Sequence, residues 1–116
     1  MPPRVLIVDD HSSFRAFARE LLDLAGFEVV GEAADGAAAI AAVARLRPDV
    51  VLLDVQLPDL DGIEVAARLK GSGAAVVLTS SRPAHAHGAR LRGAAAHGFI
   101  PKEDLTGPAL RAVLAA

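Results

Sequence analysis

Pro48-Asp-Val-Val-Leu-Leu-Asp54-Val-Gln-Leu-Pro-Asp-Leu-Asp-Gly62 is the stretch that decides the fold. Val50 to Leu53 form an apolar run without polar alternation, the pattern of a strand buried on both faces of a parallel sheet. The run stops on a carboxylate, Asp54, which therefore sits at the carboxyl end of its strand, where open α/β sheets place their ligands. Pro58 forces Leu57 out of helical geometry and Asp61-Gly62 is turn chemistry, so a loop follows Asp54.

The first strand repeats the arrangement. Arg4-Val-Leu-Ile-Val8 is apolar and ends on Asp9-Asp10. If the two strands are neighbours, three carboxylates converge at one sheet edge, an unfavourable grouping unless a cation relieves it. Oxygen donors with room for water suit a hard divalent ion, magnesium above all.

These residues carry a resemblance. Asp9-Asp10, the segment Asp54 to Gly62, Thr79 and Lys102 together resemble the receiver domain of two-component response regulators over essentially the whole chain, in the sub-pattern that precedes a helix-turn-helix output. The resemblance implies a flavodoxin-like, doubly wound (βα)5 fold with a five-stranded parallel sheet in the order 2-1-3-4-5. It implies that Asp54 is the phosphoacceptor, taking a phosphoryl group from a phosphohistidine or a small phosphodonor. Mg²⁺ would be held by Asp10, Asp54 and the backbone carbonyl of Gln56, with Asp9 acting through a metal-bound water. Lys102 and the Thr79 hydroxyl would contact phosphoryl oxygens, and Ser80 would leave space beside them. Thr79 and Phe99 would form the switch that relays the change to the face of the fourth helix, fifth strand and last helix, for a partner or a homodimer. The implied upstream partner is a sensor histidine kinase or phosphotransfer protein. The chain would accept the group itself rather than turn over a substrate.

The remaining sequence is consistent with that frame. At 116 residues the chain is expected to be one domain, 1–116, without an output domain. Hydrophobic residues make up 53% and the only aromatics are four phenylalanines, so the core is Val, Leu, Ile and Ala. The absence of cysteine excludes disulfides, thiol nucleophiles and thiolate metal sites. A net charge of −2 offers no basic footprint for nucleic acid. No run approaches the ~18 apolar residues of a membrane span, and Met1-Pro-Pro-Arg leads straight into a strand, so the expected location is cytoplasmic.

Between the motifs, the periodicity predicts a first helix capped by Ser12, with Phe14, Phe17, Ala18, Leu21, Leu22 and Ala25 on its apolar face and Arg15, Arg19, Glu20 and Asp23 on the wet one. Phe27–Ala34 reads as a polar edge strand. Asp35-Gly36 opens an alanine-rich helix through Leu46, and Gly62–Lys70 is a short third helix. A fourth strand, Ala75–Leu78, leads to Thr79-Ser80-Ser81. The segment from Arg82 to Gly93 predicts a short fourth helix, because Gly88 weakens it by about 1 kcal/mol and Leu91 is its only large apolar anchor. Gly98–Pro101 is an edge strand that tolerates proline, and Thr106 caps a last helix burying Ala109, Leu110, Val113 and Leu114. His85 and His87 read as exposed side chains, since residues two apart on a helix point in different directions. His11 lies near the acidic cluster without an assigned part, and His97 has none.

Three other classes compete. A haloacid-dehalogenase-like phosphatase wants a second aspartate two residues after the nucleophile, where Gln56 stands. A flavin-binding flavodoxin needs a phosphate loop that Asp9-Asp10 would repel. A pseudo-receiver, a phosphorylation-independent interaction module on the same fold, is the serious alternative.

Overall fold

In a computed structural model describing residues 1–116, five strands alternate with five helices. β1 (Arg4–Val8), β2 (Glu28–Ala33), β3 (Val50–Asp54), β4 (Ala75–Ser80) and β5 (Gly98–Pro101) form one parallel sheet in the order 2-1-3-4-5. The helices are α1 (Ser12–Leu24), α2 (Gly36–Leu46), α3 (Gly62–Arg68), α4 (Ala89–Arg92) and α5 (Gly107–Ala115), with short 3-10 turns at Ala84–Ala86 and Lys102–Asp104.

The apolar runs of the central strands are buried on both sides, because successive side chains point to opposite faces. Leu6, Val8, Val51, Leu53, Val76 and Leu78 pack under α2 and α3. Val5, Ile7, Val50, Leu52, Val77 and Ile100 pack under α1 and α5, against Ala18, Leu22 and Leu110. β2 and β5 are the edges, so the polar character of β2 and the proline ending β5 fall where ladder bonds are needed on one side only.

Helix boundaries follow local chemistry. Asp35 accepts from the Ala38 N–H at 2.7 Å and Thr106 from the Ala109 N–H at 3.0 Å, which caps α2 and α5. Gly26, with φ of +91°, takes the left-handed position after α1 that only glycine adopts without cost. α1 differs from expectation at its start: His11, not Ser12, occupies the N-cap position, and no side chain caps the helix. Phe17 does not join the apolar face either; it is 53% exposed. Nor is Arg15 solvated: its guanidinium lies 3.0 Å from Glu32 on β2, beside Arg19 at 2.8 Å, and these two cations hold the Glu32 carboxyl below its ordinary range.

α4 is a single turn, preceded by Gly88 at φ +56° and broken from the 3-10 turn before it. Its anchoring matches the weak sequence, with one exception. His87 is not exposed but buried, its ring edge-on to Phe99.

Candidate functional site

Strand register assembles the site. Val8 is paired with Leu53, so the next residues on each strand, Asp9 and Asp54, are brought side by side at the carboxyl ends of β1 and β3. Asp54 is in turn paired with Thr79, Thr79 with Ile100 and Ser80 with Pro101, one residue short of Lys102. Every side chain singled out from the sequence, Phe99 apart, thus comes to one end of the sheet.

Asp9 is fully buried and Asp54 is 3% exposed, while Asp10 faces solvent. Lys102 reaches across, its Nζ 2.5 Å from Oδ2 of Asp9 and 3.2 Å from Oδ2 of Asp54. The approach to Asp9 lies outside hydrogen-bond geometry, so Oδ2 of Asp9 has an ion contact but no hydrogen bond. Oδ1 of Asp54 accepts from the Gln56 N–H at 3.1 Å. Burial pushes the Asp54 carboxyl above its ordinary range, against the pull of the Gln56 N–H; the Asp9 charge adds to the rise and Lys102 opposes it. Burial alone would lower the Lys102 ammonium, but its contacts with Asp9 and Asp54 outweigh that and hold it above its usual value. The Lys102 ammonium also lies over the Phe14 ring, with Nζ 4.6 Å from the centroid.

Thr79 is buried with its hydroxyl unpartnered. A buried hydroxyl without a hydrogen bond is costly, and its presence beside Asp54 calls for a polar ligand to satisfy it. Ser80 is fully buried, and its hydroxyl accepts from the Arg82 N–H at 3.0 Å. Phe99 is half-buried and packs on the β5 side of α4, away from the carboxylates.

The loop after Asp54 closes on the strand. Gly62 donates to the Val55 carbonyl at 2.7 Å, and a Cβ on it would stand 2.1 Å from the Asp54 carbonyl oxygen. Glycine is required there by close approach. Asp59 accepts from the Gly36 and Ala37 N–H groups at 2.7 and 2.9 Å, tying this loop to the start of α2. Asp61 accepts from the Ile63 N–H and pairs with Arg90 of α4. Neither role was expected; Asp61 reads in the sequence only as a turn residue, and Asp59 only as part of the loop.

Asp9, Asp10, His11 and Asp54 each offer one potential metal-ligand atom, and these atoms lie within 4.8 Å of one another. Three carboxylates, one of them with an oxygen lacking any hydrogen bond, form a donor set that fits a hard divalent cation. No helix is long and apolar enough to cross a membrane.

The comparisons with known proteins agree with this geometry. The family model for the response regulator receiver domain matches residues 5–113. A transcriptional regulator from Pseudomonas aeruginosa is 41% identical over 104 residues, 87% of this chain and 50% of that protein. The transcription regulator BvgA of Bordetella pertussis is 36% identical over 103 residues, 87% of this chain and 49% of that one. The signal receiver domain of the response regulator NarL from Mycobacterium tuberculosis superposes with a TM-score of 0.86 at 33% identity, covering 99% of this chain and 98% of that one. The chain spans about half the length of the curated relatives it matches.

Proposed function

This chain belongs to the response regulator receiver family, and from that premise we propose that Asp54 is its phosphoacceptor. The observation that carries the reading is the meeting of Asp9, Asp10, Asp54 and Lys102 at one sheet edge beside the unpartnered Thr79 hydroxyl.

An Asp54 carboxylate oxygen attacks the phosphorus of a phosphohistidine or small phosphodonor. The new O–P bond forms as the bond to the leaving nitrogen or oxygen breaks, and the leaving group keeps that electron pair. A carboxylate needs no general base for this, and burial makes Asp54 a more basic oxygen than a solvated aspartate. Mg²⁺ held by Asp10, Asp54 and the Gln56 backbone carbonyl, with Asp9 beyond a water, would supply positive charge for the phosphoryl oxygens. Lys102 adds a second cation by exchanging carboxylate for phosphoryl oxygens, and the Thr79 hydroxyl donates the hydrogen bond it otherwise lacks. Ser80 is small and keeps the space beside Asp54 clear.

Signal output follows from the same residues. Movement of Thr79 toward the phosphoryl group and reorientation of Phe99 alter the face of α4, β5 and α5, which engages a downstream protein or a second copy. The upstream partner is a sensor histidine kinase or a phosphotransfer protein. Reduction of the acyl phosphate with borohydride, which converts the modified aspartate to homoserine, tests the acceptor. Homoserine at position 54 is expected after treatment with phosphodonor and Mg²⁺. Its absence from the chain would favour a phosphorylation-independent interaction module, and its appearance at another aspartate would move the acceptor.

A further inference from the structure

The acidic cluster contains one group to which the phosphoacceptor reading gives no work, the imidazole of His11. Its Nδ1 stands 3.1 Å from Oδ1 of Asp9 and 3.1 Å from Oδ1 of Asp10, and it belongs to the set of four potential ligand atoms spread over no more than 4.8 Å. The residue is held from two sides. Its N–H donates to Oδ1 of Asp9 at 2.8 Å, and its carbonyl accepts from the Arg15 N–H of the first turn of α1 at 3.1 Å. Although His11 occupies the N-cap position of α1, its ring forms no capping bond; it is turned to the carboxylates instead.

The dimensions suit coordination. Ligands on opposite sides of a six-coordinate first-row ion at about 2.2 Å lie roughly 4.4 Å apart. The four atoms here need to contract by only a few tenths of an ångström. Demand for further positive charge is visible in the burial of Asp9 and Asp54, two carboxylates that share one ammonium, that of Lys102.

We propose that His11 supplies Nδ1 as a nitrogen ligand to the divalent cation held by Asp10 and Asp54, so that this site prefers Co²⁺ or Ni²⁺ to Mg²⁺. The inference rests on reading the carboxylates as a cation site. An all-oxygen site with retained waters suits Mg²⁺, whereas imidazole strengthens binding of later first-row ions and adds little for Mg²⁺. His11 is thus the residue that sets metal preference, while the carboxylates set affinity for any divalent ion.

The test uses the untagged chain with Mn²⁺ alone, read by pulsed electron paramagnetic resonance. Directly bound imidazole nitrogen produces a ¹⁴N modulation, expected in the wild type and lost in His11→Gln. The Co²⁺ dissociation constant, titrated separately, should rise about tenfold in that variant, the scale on which a ligand-sphere residue acts, while the Mg²⁺ constant changes less than about twofold. Mn²⁺ that binds the wild type without ¹⁴N modulation, and is displaced by Mg²⁺, would overturn the role of His11 and leave the carboxylate site standing. Failure of the wild type to bind either ion would overturn both.

Discussion

The ring of His87 stands edge-on to that of Phe99, their centroids 5.9 Å apart and their planes at 63°. His87 is buried, its Nε2 has no hydrogen-bond partner, and burial together with nearby Arg82 and Arg90 holds its pKa below 6.5, against the pull of Asp61. The unfolded chain therefore binds this proton more readily than the folded one, so the contribution of His87 to stability is complete above its unfolded value. It is lost as pH falls through 6.5 and then through the lower folded value. Urea midpoints at pH 7.5 and 5.5 should fall more steeply for the wild type than for His87→Leu. Parallel pH dependence in the two proteins would remove His87 from the acid response.

Lys102 offsets two buried carboxylates at once, at 2.5 Å from Asp9 and 3.2 Å from Asp54. Removing one partner of a buried ionic cluster leaves uncompensated charge, and Lys102→Ala should cost about 3 kcal/mol in EDTA. On the proposed cation site, Mg²⁺ would take up the Asp54 carboxylate that Lys102 also contacts, so the variant should gain more stability from Mg²⁺ than the wild type does. Denaturation with EDTA and with saturating Mg²⁺ gives both quantities. Equal gains from Mg²⁺ would mean that the lysine and the cation do not share those carboxylates.

Gly62→Ala places a methyl group 2.1 Å from the Asp54 carbonyl oxygen and 2.7 Å from the Val55 Cα. Backbone on both sides cannot give way cheaply, so a loss of about 2–3 kcal/mol is expected from overpacking. Chemical denaturation measures it directly. A loss under about 0.5 kcal/mol, the scale of an ordinary surface substitution, would show that the loop over Asp54 is not closed as described.

Arg90 joins α4 to Asp61 in the loop that follows β3. Exposed ion pairs contribute at most about 1 kcal/mol to global stability, so Arg90→Ala should leave the denaturation midpoint nearly unchanged. Local opening is another matter, because α4 is one turn long and held by few apolar contacts. Hydrogen exchange across residues 82–93 should quicken in the variant. In the wild type, a stable phosphoryl mimic should change protection chiefly over residues 82–105. Changes centred on α1 and α2 would contradict the proposed output face.

The central strands were legible because burial on both faces leaves an unbroken apolar run, and their terminal carboxylates pointed to one sheet edge before any register was known. Strand order came from the family resemblance; residue periodicity alone does not distinguish 2-1-3-4-5 from other parallel orders. What the sequence hid was tertiary. Ser12 is chemically the better cap, yet His11 takes the position with its ring drawn to Asp9 and Asp10. Phe17 lies on the helical stripe, but α1 rotates Ala18 and Leu22 inward and leaves that ring outside. His87 lies in a weakly apolar segment, and its contact with Phe99 of β5 is one that periodicity along the chain does not show. Asp61 gave a turn signal and Asp59 lay in the loop before it, while the partners that define them, at the start of α2 and on α4, are 22 to 29 residues distant.

The most direct measurement is the intact mass of the chain after incubation with a small phosphodonor. With Mg²⁺ the wild type should gain one phosphoryl group, and neither Asp54→Asn with Mg²⁺ nor the wild type in EDTA should gain it. Equal modification of Asp54→Asn, or full modification of the wild type in EDTA, would contradict a cation-dependent phosphoacceptor at Asp54.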